Sequence, residues 1–291
     1  NSATFAFSAD DYGSDLASTT CALDGTDVAC DVEITGLSDG THTFTVTATD
    51  NAGNSASASY TWLVDTTEPT ISITNTPDNP TNSRNAQFTV SFSDEGSGLE
   101  IAECTLNDVS VGCETEITAD EGSYTFVALA TDFAGNSATE SFTWYIDLTE
   151  PAVSIDSGPN DPTNEQNAIF VISSSDDYDL DSTICNLDDT DVACEVEITG
   201  LPDGTHTFTA TATDAAGNSA STSYTWLVDM TDPTVSLSDT PVNPTNDVNM
   251  DITVTSSDDG SGLASTNCDL DGSAVSCTAA RTVDEGDHTF T

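Results

Sequence analysis

Trp62, Trp144 and Trp226 are spaced by 82 and 82 residues, and the other landmarks of the chain recur with nearly the same period. His42, Tyr124, His206 and His288 occupy one equivalent position. The cysteines fall into four C-x8-C pairs: Cys21/Cys30, Cys104/Cys113, Cys185/Cys194 and Cys268/Cys277. A period this long, with every core landmark returning, predicts an array of similar small domains rather than one large domain. Arrays of this kind serve mostly as spacers, stalks, lattices and adhesive fibres.

Pro-containing segments punctuate the period. Asp65-Thr66-Thr67-Glu68-Pro69 returns as Asp147-Leu148-Thr149-Glu150-Pro151 and as Asp229-Met230-Thr231-Asp232-Pro233. Each follows an apolar Trp-Leu-Val or Trp-Tyr-Ile run. Proline cannot continue a sheet ladder, so these segments mark expected domain boundaries. They divide the chain into 1–66, 67–148, 149–230 and 231–291, the first without its opening strand and the last without its final strands. The chain thus begins and ends mid-repeat, as a piece of a longer polypeptide would. The linkers are short and poor in glycine, which predicts end-to-end neighbours with limited hinge motion.

Within 67–148 the pattern is strand throughout. Residues 87–93 alternate Phe88, Val90 and Phe92; residues 124–131 alternate Tyr124, Phe126, Ala128 and Ala130; residues 140–146 alternate Phe142, Trp144 and Ile146. Further strands are expected at 70–73 and 114–118, with a hairpin between Cys104 and Cys113. Short period-2 strands separated by turn signals predict an all-β chain of antiparallel sandwiches. No segment shows helical periodicity.

In Cys21-Ala-Leu-Asp-Gly-Thr-Asp-Val-Ala-Cys30, a four-residue loop at 24–27 would set Leu23 opposite Val28 and Cys21 opposite Cys30. Opposed Cβ atoms in an antiparallel pair lie about 4.5–5.5 Å apart, near disulfide range. Four disulfides and an oxidising, extracellular setting are the expectation, with free thiols the alternative. Zinc would need a second nearby pair or a histidine ligand, and neither is present.

The chain carries 51 acidic residues, two arginines (Arg84 and Arg281) and no lysine, a net charge of −49. Nothing neutralises phosphate, which excludes nucleic acid as a partner and argues against anionic membrane surfaces. No apolar run approaches the roughly 20 residues that cross a bilayer. Cations, and copies or neighbouring repeats of the chain itself, remain as partners. Without lysine, Lys–Asn isopeptide staples are impossible.

His42 sits in Leu37-Ser-Asp-Gly-Thr-His42-Thr-Phe44, the corner at which a sandwich places a tyrosine that hydrogen-bonds back to the preceding turn. Tyr124 stands there in the second repeat, so the position reads as a structural aromatic rather than a catalytic base.

The strings D-G-T-H-T-F-T-V-x-A-T-D-x-A-G-N, S-Y-T-W-x-V-D-x-T-x-P and C-x-L-D-G appear at 39–54, 59–69 and 21–25, and the first two return at 203–218 and 223–233 almost verbatim. They resemble the bacterial immunoglobulin-like repeats of very large secreted surface proteins, over the whole chain. The resemblance implies tandem sandwiches at a cell surface, in adhesin stalks, surface layers or filaments. The missing lysine and high aspartate content depart from it and point to a marine or halophilic prokaryote.

In such a sandwich the B–C loop, the F–G turn and the incoming linker meet at one end. Here all three carry oxygen ligands. The B–C loops supply Asp94 and Glu95, Asp176 and Asp177, or Asp258 and Asp259. The F–G turns supply Asp132 and Asn136, or Asp214 and Asn218. The linkers supply Asp65 and Glu68, Asp147 and Glu150, or Asp229 and Asp232. Ca2+ takes 6–8 such oxygens, and at this point it would bridge one domain to the next. The alternative is that Asp and Asn serve their own turns, and the remaining acids serve solubility in seawater or brine.

Three histidines, no lysine and no nucleophile motif leave no catalytic constellation, so no enzymatic role is expected. Two functional readings stand: a structural repeat protein of a rod, filament, stalk or surface layer, and a cell-adhesion module binding carbohydrate or a surface receptor. The second would use loop aromatics that differ between repeats, namely Tyr12, Phe133 and Tyr178.

Overall fold

The computed structural model describes residues 2–13 and 15–291. Regular structure among them is entirely β. No helix among the described residues is long and apolar enough to cross a membrane. The chain divides into two compact units, Asn1–Leu148 and Thr149–Thr291. The division falls at one of the Pro-containing segments.

In the first unit, Val109–Val111, Leu99–Leu106, Gly122–Asp132 and Ser137–Ile146 form an antiparallel sheet in that spatial order. Opposite it, Thr70–Thr74 pairs with Thr89–Ser93, and Asn85–Ala86 pairs with Ile117–Thr118. The four-strand order recurs in Thr26–Val28, Leu16–Leu23, Gly40–Asp50 and Ser55–Val64. It recurs again in the second unit as Thr190–Val192, Leu180–Leu187, Gly204–Asp214 and Ser219–Val228. Thr81 bridges Ile146, and Thr163 bridges Val228, each in parallel, so the segment after the opening strand also grips the last one.

Alternation places one face of each strand in the core. Phe126, Ala128 and Ala130 are buried, while Thr125, Val127 and Leu129 between them are only partly covered. Phe88 stacks on Phe126 at 4.3 Å between ring centroids, with Trp144 edge-on at 5.3 Å. Phe170, Phe208 and Trp226 repeat the arrangement at 4.0 and 5.3 Å. Burying one such ring contributes about 1.5–3 kcal/mol.

Two strands differ from expectation. The strand expected at 87–93 starts only at Thr89, and a separate short piece before it, Asn85–Ala86, pairs with a different partner. The strand expected at 114–118 shortens to Ile117–Thr118, because the Thr115 N–H turns back to the Gly112 carbonyl at 3.2 Å.

The cysteine hairpin is tighter than the sequence suggests. Cys21 stands opposite Val28, not Cys30, and Leu23 stands opposite Thr26. The same correction applies to the other repeats: Cys104 faces Val111 rather than Cys113, Cys185 faces Val192 rather than Cys194, and Cys268 faces Val275 rather than Cys277. Asp24 and Gly25 alone make the first turn, with φ of 49° and 79°. Two successive residues at positive φ match the twist of the flanking strands, and Asp-Gly is a favoured pair for it. Asn107-Asp108, Asp188-Asp189 and Asp271-Gly272 adopt the same conformation.

Each Cys pair nonetheless forms its disulfide, with Cα atoms 5.2 to 5.4 Å apart. The second cysteine of each pair, Cys30, Cys113, Cys194 or Cys277, lies in a turn just past the short return strand, where the chain bends back over the first. Cys194 shows how. The strand Thr190–Val192 ends two residues before it, and its half-buried Sγ comes to 3.7 Å from the Thr183 carbonyl oxygen, beside Cys185. The sulfur is bonded to Cys185 and carries no proton, so this is a packing contact. Disulfide partners are thus as expected, and the ladder position of the second cysteine is not.

Candidate functional site

Asp65 follows the strand Ser55–Val64 at the point where the chain enters the next repeat. It is 9% exposed. Its Oδ1 accepts from the Thr67 N–H at 3.1 Å, and its Oδ2 from the Ser97 N–H at 2.6 Å. Asp94 opens the B–C loop and accepts the Gly96 and Gly98 N–H groups on Oδ2 at 3.0 and 2.7 Å. Its Oδ1 is buried and has no hydrogen-bond partner. Asp132 ends the strand Gly122–Asp132 and is fully buried. Its Oδ1 accepts from the Ala134 and Asn136 N–H groups at 2.8 Å each, and its Oδ2 from the Asn136 amide at 2.7 Å.

One carboxylate oxygen from each of Asp65, Asp94 and Asp132 lies within 4.8 Å of the other two. Like charges this close repel unless a proton or cation intervenes. The Ser97 hydroxyl and N–H hold Asp65 below the usual carboxylate range, which keeps it ionised. A Cβ on Gly96 would overlap the Asp65 carboxylate, so the glycine makes room for it. The donor set is oxygen only and one of its atoms is unsatisfied, which fits a hard divalent cation such as Ca2+.

The second unit repeats the parts. Asp176 and Asp214 have carboxylate oxygens within 4.8 Å. Asp176 accepts the Tyr178 N–H on Oδ2, and its Oδ1 is buried without a partner. Asp214 is held by Asn218 through both N–H and side-chain amide. Further on, Asp229 accepts the Ser261 N–H at 2.6 Å and would clash with a Cβ on Gly260. Asp258 accepts the Gly260 and Gly262 N–H groups, as Asp94 does in its own loop. Asp147 closes the first unit, its N–H donating to the Thr81 carbonyl at 2.9 Å.

The remaining acids behave differently. Glu95, Asp177 and Asp259, second in each loop pair, are exposed, as are Glu68, Glu150 and Asp232 in the linkers. Glu68 and Glu95 are outside the group formed by Asp65, Asp94 and Asp132. Asn136 turns its nitrogen towards the cluster, donating to Asp132 Oδ2 and, at 3.2 Å, to the Asp65 carbonyl. It braces Asp132 and ties it to the linker. The Asp-x-Ala-Gly-Asn turn also exists for its own sake: Asp50 makes the same bonds to Ala52 and Asn54.

Sequence reasoning missed three features. Gly96 and Gly260 are one; the Gly-Ser-Gly shared by residues 96–98 and 260–262 is the signal that marks them. Asp39 is another. It accepts the Thr66 N–H and hydroxyl at 3.0 and 2.7 Å and the Thr67 hydroxyl at 2.7 Å, fastening the linker to the corner. Asp203 does the same for Met230 and Thr231. The third is a carboxylate beside each corner histidine. The corner itself is as expected: Tyr124 donates to the Asp120 carbonyl at 3.0 Å, and His42 reaches the Ser38 carbonyl at 2.7 Å.

The strand order, the corner and the parallel grip of Thr81 and Thr163 define an immunoglobulin-like β-sandwich. Residues 12–65 match a putative Ig domain, and residues 190–291 match a bacterial Ig-like domain (group 3). The chain is all-β, with immunoglobulin-like sandwiches in tandem. No curated protein sequence matches it. Among solved structures it is similar to fibronectin(III)-like modules of Clostridium thermocellum CbhA, at 14% identity and TM-score 0.37, over 55% of this chain and 94% of that one. It is also similar to a tetra-tandem repeat in the extending region of a large adhesion protein, at 22% identity and TM-score 0.29, over 94% of this chain and 82% of that one. Drosophila N-cadherin EC1-4 aligns at 11% identity and TM-score 0.26, over 87% of this chain and 90% of that one.

Proposed function

We propose that the chain is an extracellular structural repeat protein of four immunoglobulin-like domains, 1–66, 67–148, 149–230 and 231–291, that builds a rod, filament, stalk or surface layer. Ca2+ at the domain junctions stiffens it. The observation that carries this reading is the convergence of Asp65, Asp94 and Asp132, because it joins the linker leaving one repeat to two loops of the next. A cation there supplies positive charge shared between both repeats. The chain's own residues supply the cradle: Gly96 gives space, Ser97 keeps Asp65 ionised, and Asn136 orients Asp132. The net charge of −49 adds repulsion between repeats that cations screen. A marine or briny setting fits the same surplus.

Small-angle scattering with Ca2+ added and then chelated, at fixed ionic strength, tests the reading. A long particle that becomes flexible on chelation supports it. A profile unchanged by chelation removes calcium from the junction, and leaves the acids to solubility or lattice contacts.

A second reading is a cell-adhesion module. Tyr12, Phe133 and Tyr178 favour it, since all three are exposed loop aromatics, Phe133 at 68%. Replacing them with alanine abolishes attachment to a glycan- or receptor-bearing surface if this reading holds, and leaves scattering unchanged.

A further inference from the structure

Each corner histidine is held between two groups that only accept hydrogen bonds. His42 Nε2 lies 2.7 Å from the Ser38 carbonyl, and Nδ1 lies 2.8 Å from Asp24 Oδ2. His206 lies 2.9 Å from the Pro202 carbonyl and 2.7 Å from Asp188. His288 lies 2.8 Å from the Asp284 carbonyl and 2.7 Å from Asp271. A neutral imidazole has one N–H and one lone pair, so it can satisfy only one of the two. The doubly protonated ring satisfies both.

The same carboxylates do a second job. Asp24 Oδ1 accepts the Thr43 N–H at 2.7 Å, and Asp188 and Asp271 accept those of Thr207 and Thr289 at 2.8 Å each. The second repeat carries the neutral counterpart of every part. Tyr124 replaces the histidine, and Asn107 replaces the aspartate and accepts the Thr125 N–H at 2.9 Å. Aspartate therefore accompanies histidine at three corners, and asparagine accompanies tyrosine at the fourth. The carbonyls that receive Nε2 belong to Ser38 and Pro202, each one residue before Asp39 and Asp203, which fasten the outgoing linkers.

We propose that the corners closed by His42, His206 and His288 are proton-dependent latches, closed by the imidazolium and loosened when it loses its proton, while the second repeat, with Tyr124 in the histidine's place, lacks the latch. In the first and third repeats the loosening reaches the linker through Asp39 and Asp203. The charged groups facing each ring are Asp24 for His42, Asp188 for His206, and Asp271 with Asp284 for His288. All three histidines are raised above their ordinary value. For His42 and His288 the carboxylate hydrogen bond is the main cause. For His206 burial pulls the other way, and the Pro202 carbonyl and Asp188 outweigh it.

The test is an NMR titration of the histidine ring carbons in the full chain, with amide exchange read at Thr43 and Thr125. The expected midpoints lie above 6.5. Exchange at Thr43 should quicken through its titration and that at Thr125 should show no step beyond base catalysis. Asp24→Asn should lower the His42 midpoint by about one unit or more and leave those of His206 and His288 in place. The paired variant His42→Tyr with Asp24→Asn should copy the second repeat and remove the step at Thr43. Midpoints at or below 6.5, or a Thr43 rate without a step, would overturn the proposal. If Asp24→Asn unfolds the first repeat, the paired variant and the unaltered chain still decide the matter.

Discussion

Asp65 lays its carboxylate where a side chain on Gly96 would stand, and Asp229 does the same to Gly260. The two pairs are 164 residues apart, two periods, and both acids accept a serine N–H at 2.6 Å. The contact runs from the linker of one repeat into the B–C loop of the next, so protein groups alone fix where the linker acid lies.

Replacing Gly96 with alanine should therefore displace Asp65. Gly96 does not need positive φ, unlike Gly98 at 82°, so the cost is steric. An overpacked contact of this kind costs about 1–3 kcal/mol. Limited proteolysis at the 65–69 linker should speed up in Gly96→Ala and stay unchanged in an exposed control such as Ser137→Ala.

Asp94→Asn removes one charge from the group but keeps the shape and the bonds to Gly96 and Gly98. Calcium binding by calorimetry should weaken at least tenfold at this junction, which is about 1.4 kcal/mol. Glu95→Gln, at an exposed position outside the group, should leave it unchanged. Equal loss in both variants would assign the binding to diffuse surface charge.

Replacing Cys104 and Cys113 together with alanine opens a short loop. The second repeat should lose about 2–3 kcal/mol, read by chemical denaturation. Reduction of the unaltered protein should give a similar loss in every repeat.

Trp226 is buried against Phe170 and His206. Trp226→Ala should cost about 3–5 kcal/mol, and protease cleavage should concentrate within 149–230. Tyr60→Ala, at an exposed ring, should cost far less.

The Asp24–His42 pair also sets an acid limit. Its hydrogen bonds with His42 and the Thr43 N–H hold Asp24 below its ordinary 3.8. That contribution is complete above the unfolded value and is lost as pH falls through the folded one. His42 is raised above 6.5, so its contribution is complete below 6.5 and is lost as pH rises through the folded value. Thr43 protection in amide exchange, corrected for the intrinsic rate, should peak between about 4 and 6.5. Thr125 should show no such peak.

Much of the fold is legible in local pattern. Trp144 and Ile146 alternate with polar residues because one face of a strand meets the core, and the 82-residue period states that the pattern returns. The hairpin register was not legible. The four-residue loop expected at 24–27 gives way to the two-residue turn Asp24-Gly25, whose positive φ angles match the twist of the paired strands. That choice moves Cys30, Cys113, Cys194 and Cys277 off the ladder and into the following turn, without changing which cysteine each one meets. The candidate site was half legible. The acids stood out, but which member of each pair faces inward depends on where the loop points. Asp94 turns in and Glu95 out because Asp94 caps two N–H groups of its own loop.

By itself the sequence determined the all-β class, the repeat, the pairing pattern of the cysteines and a net negative charge that repels phosphate. These follow from periodicity, spacing and composition, which need no knowledge of what lies far along the chain. Only the tertiary structure decided that Asp65 meets Asp94 and Asp132, that Gly96 makes room for it, and that His42 lies between Asp24 and Ser38. Those contacts join residues 18 to 67 positions apart, apart from the one to Ser38. Folding alone brings such groups within hydrogen-bond reach, where burial and charge decide which partners they keep.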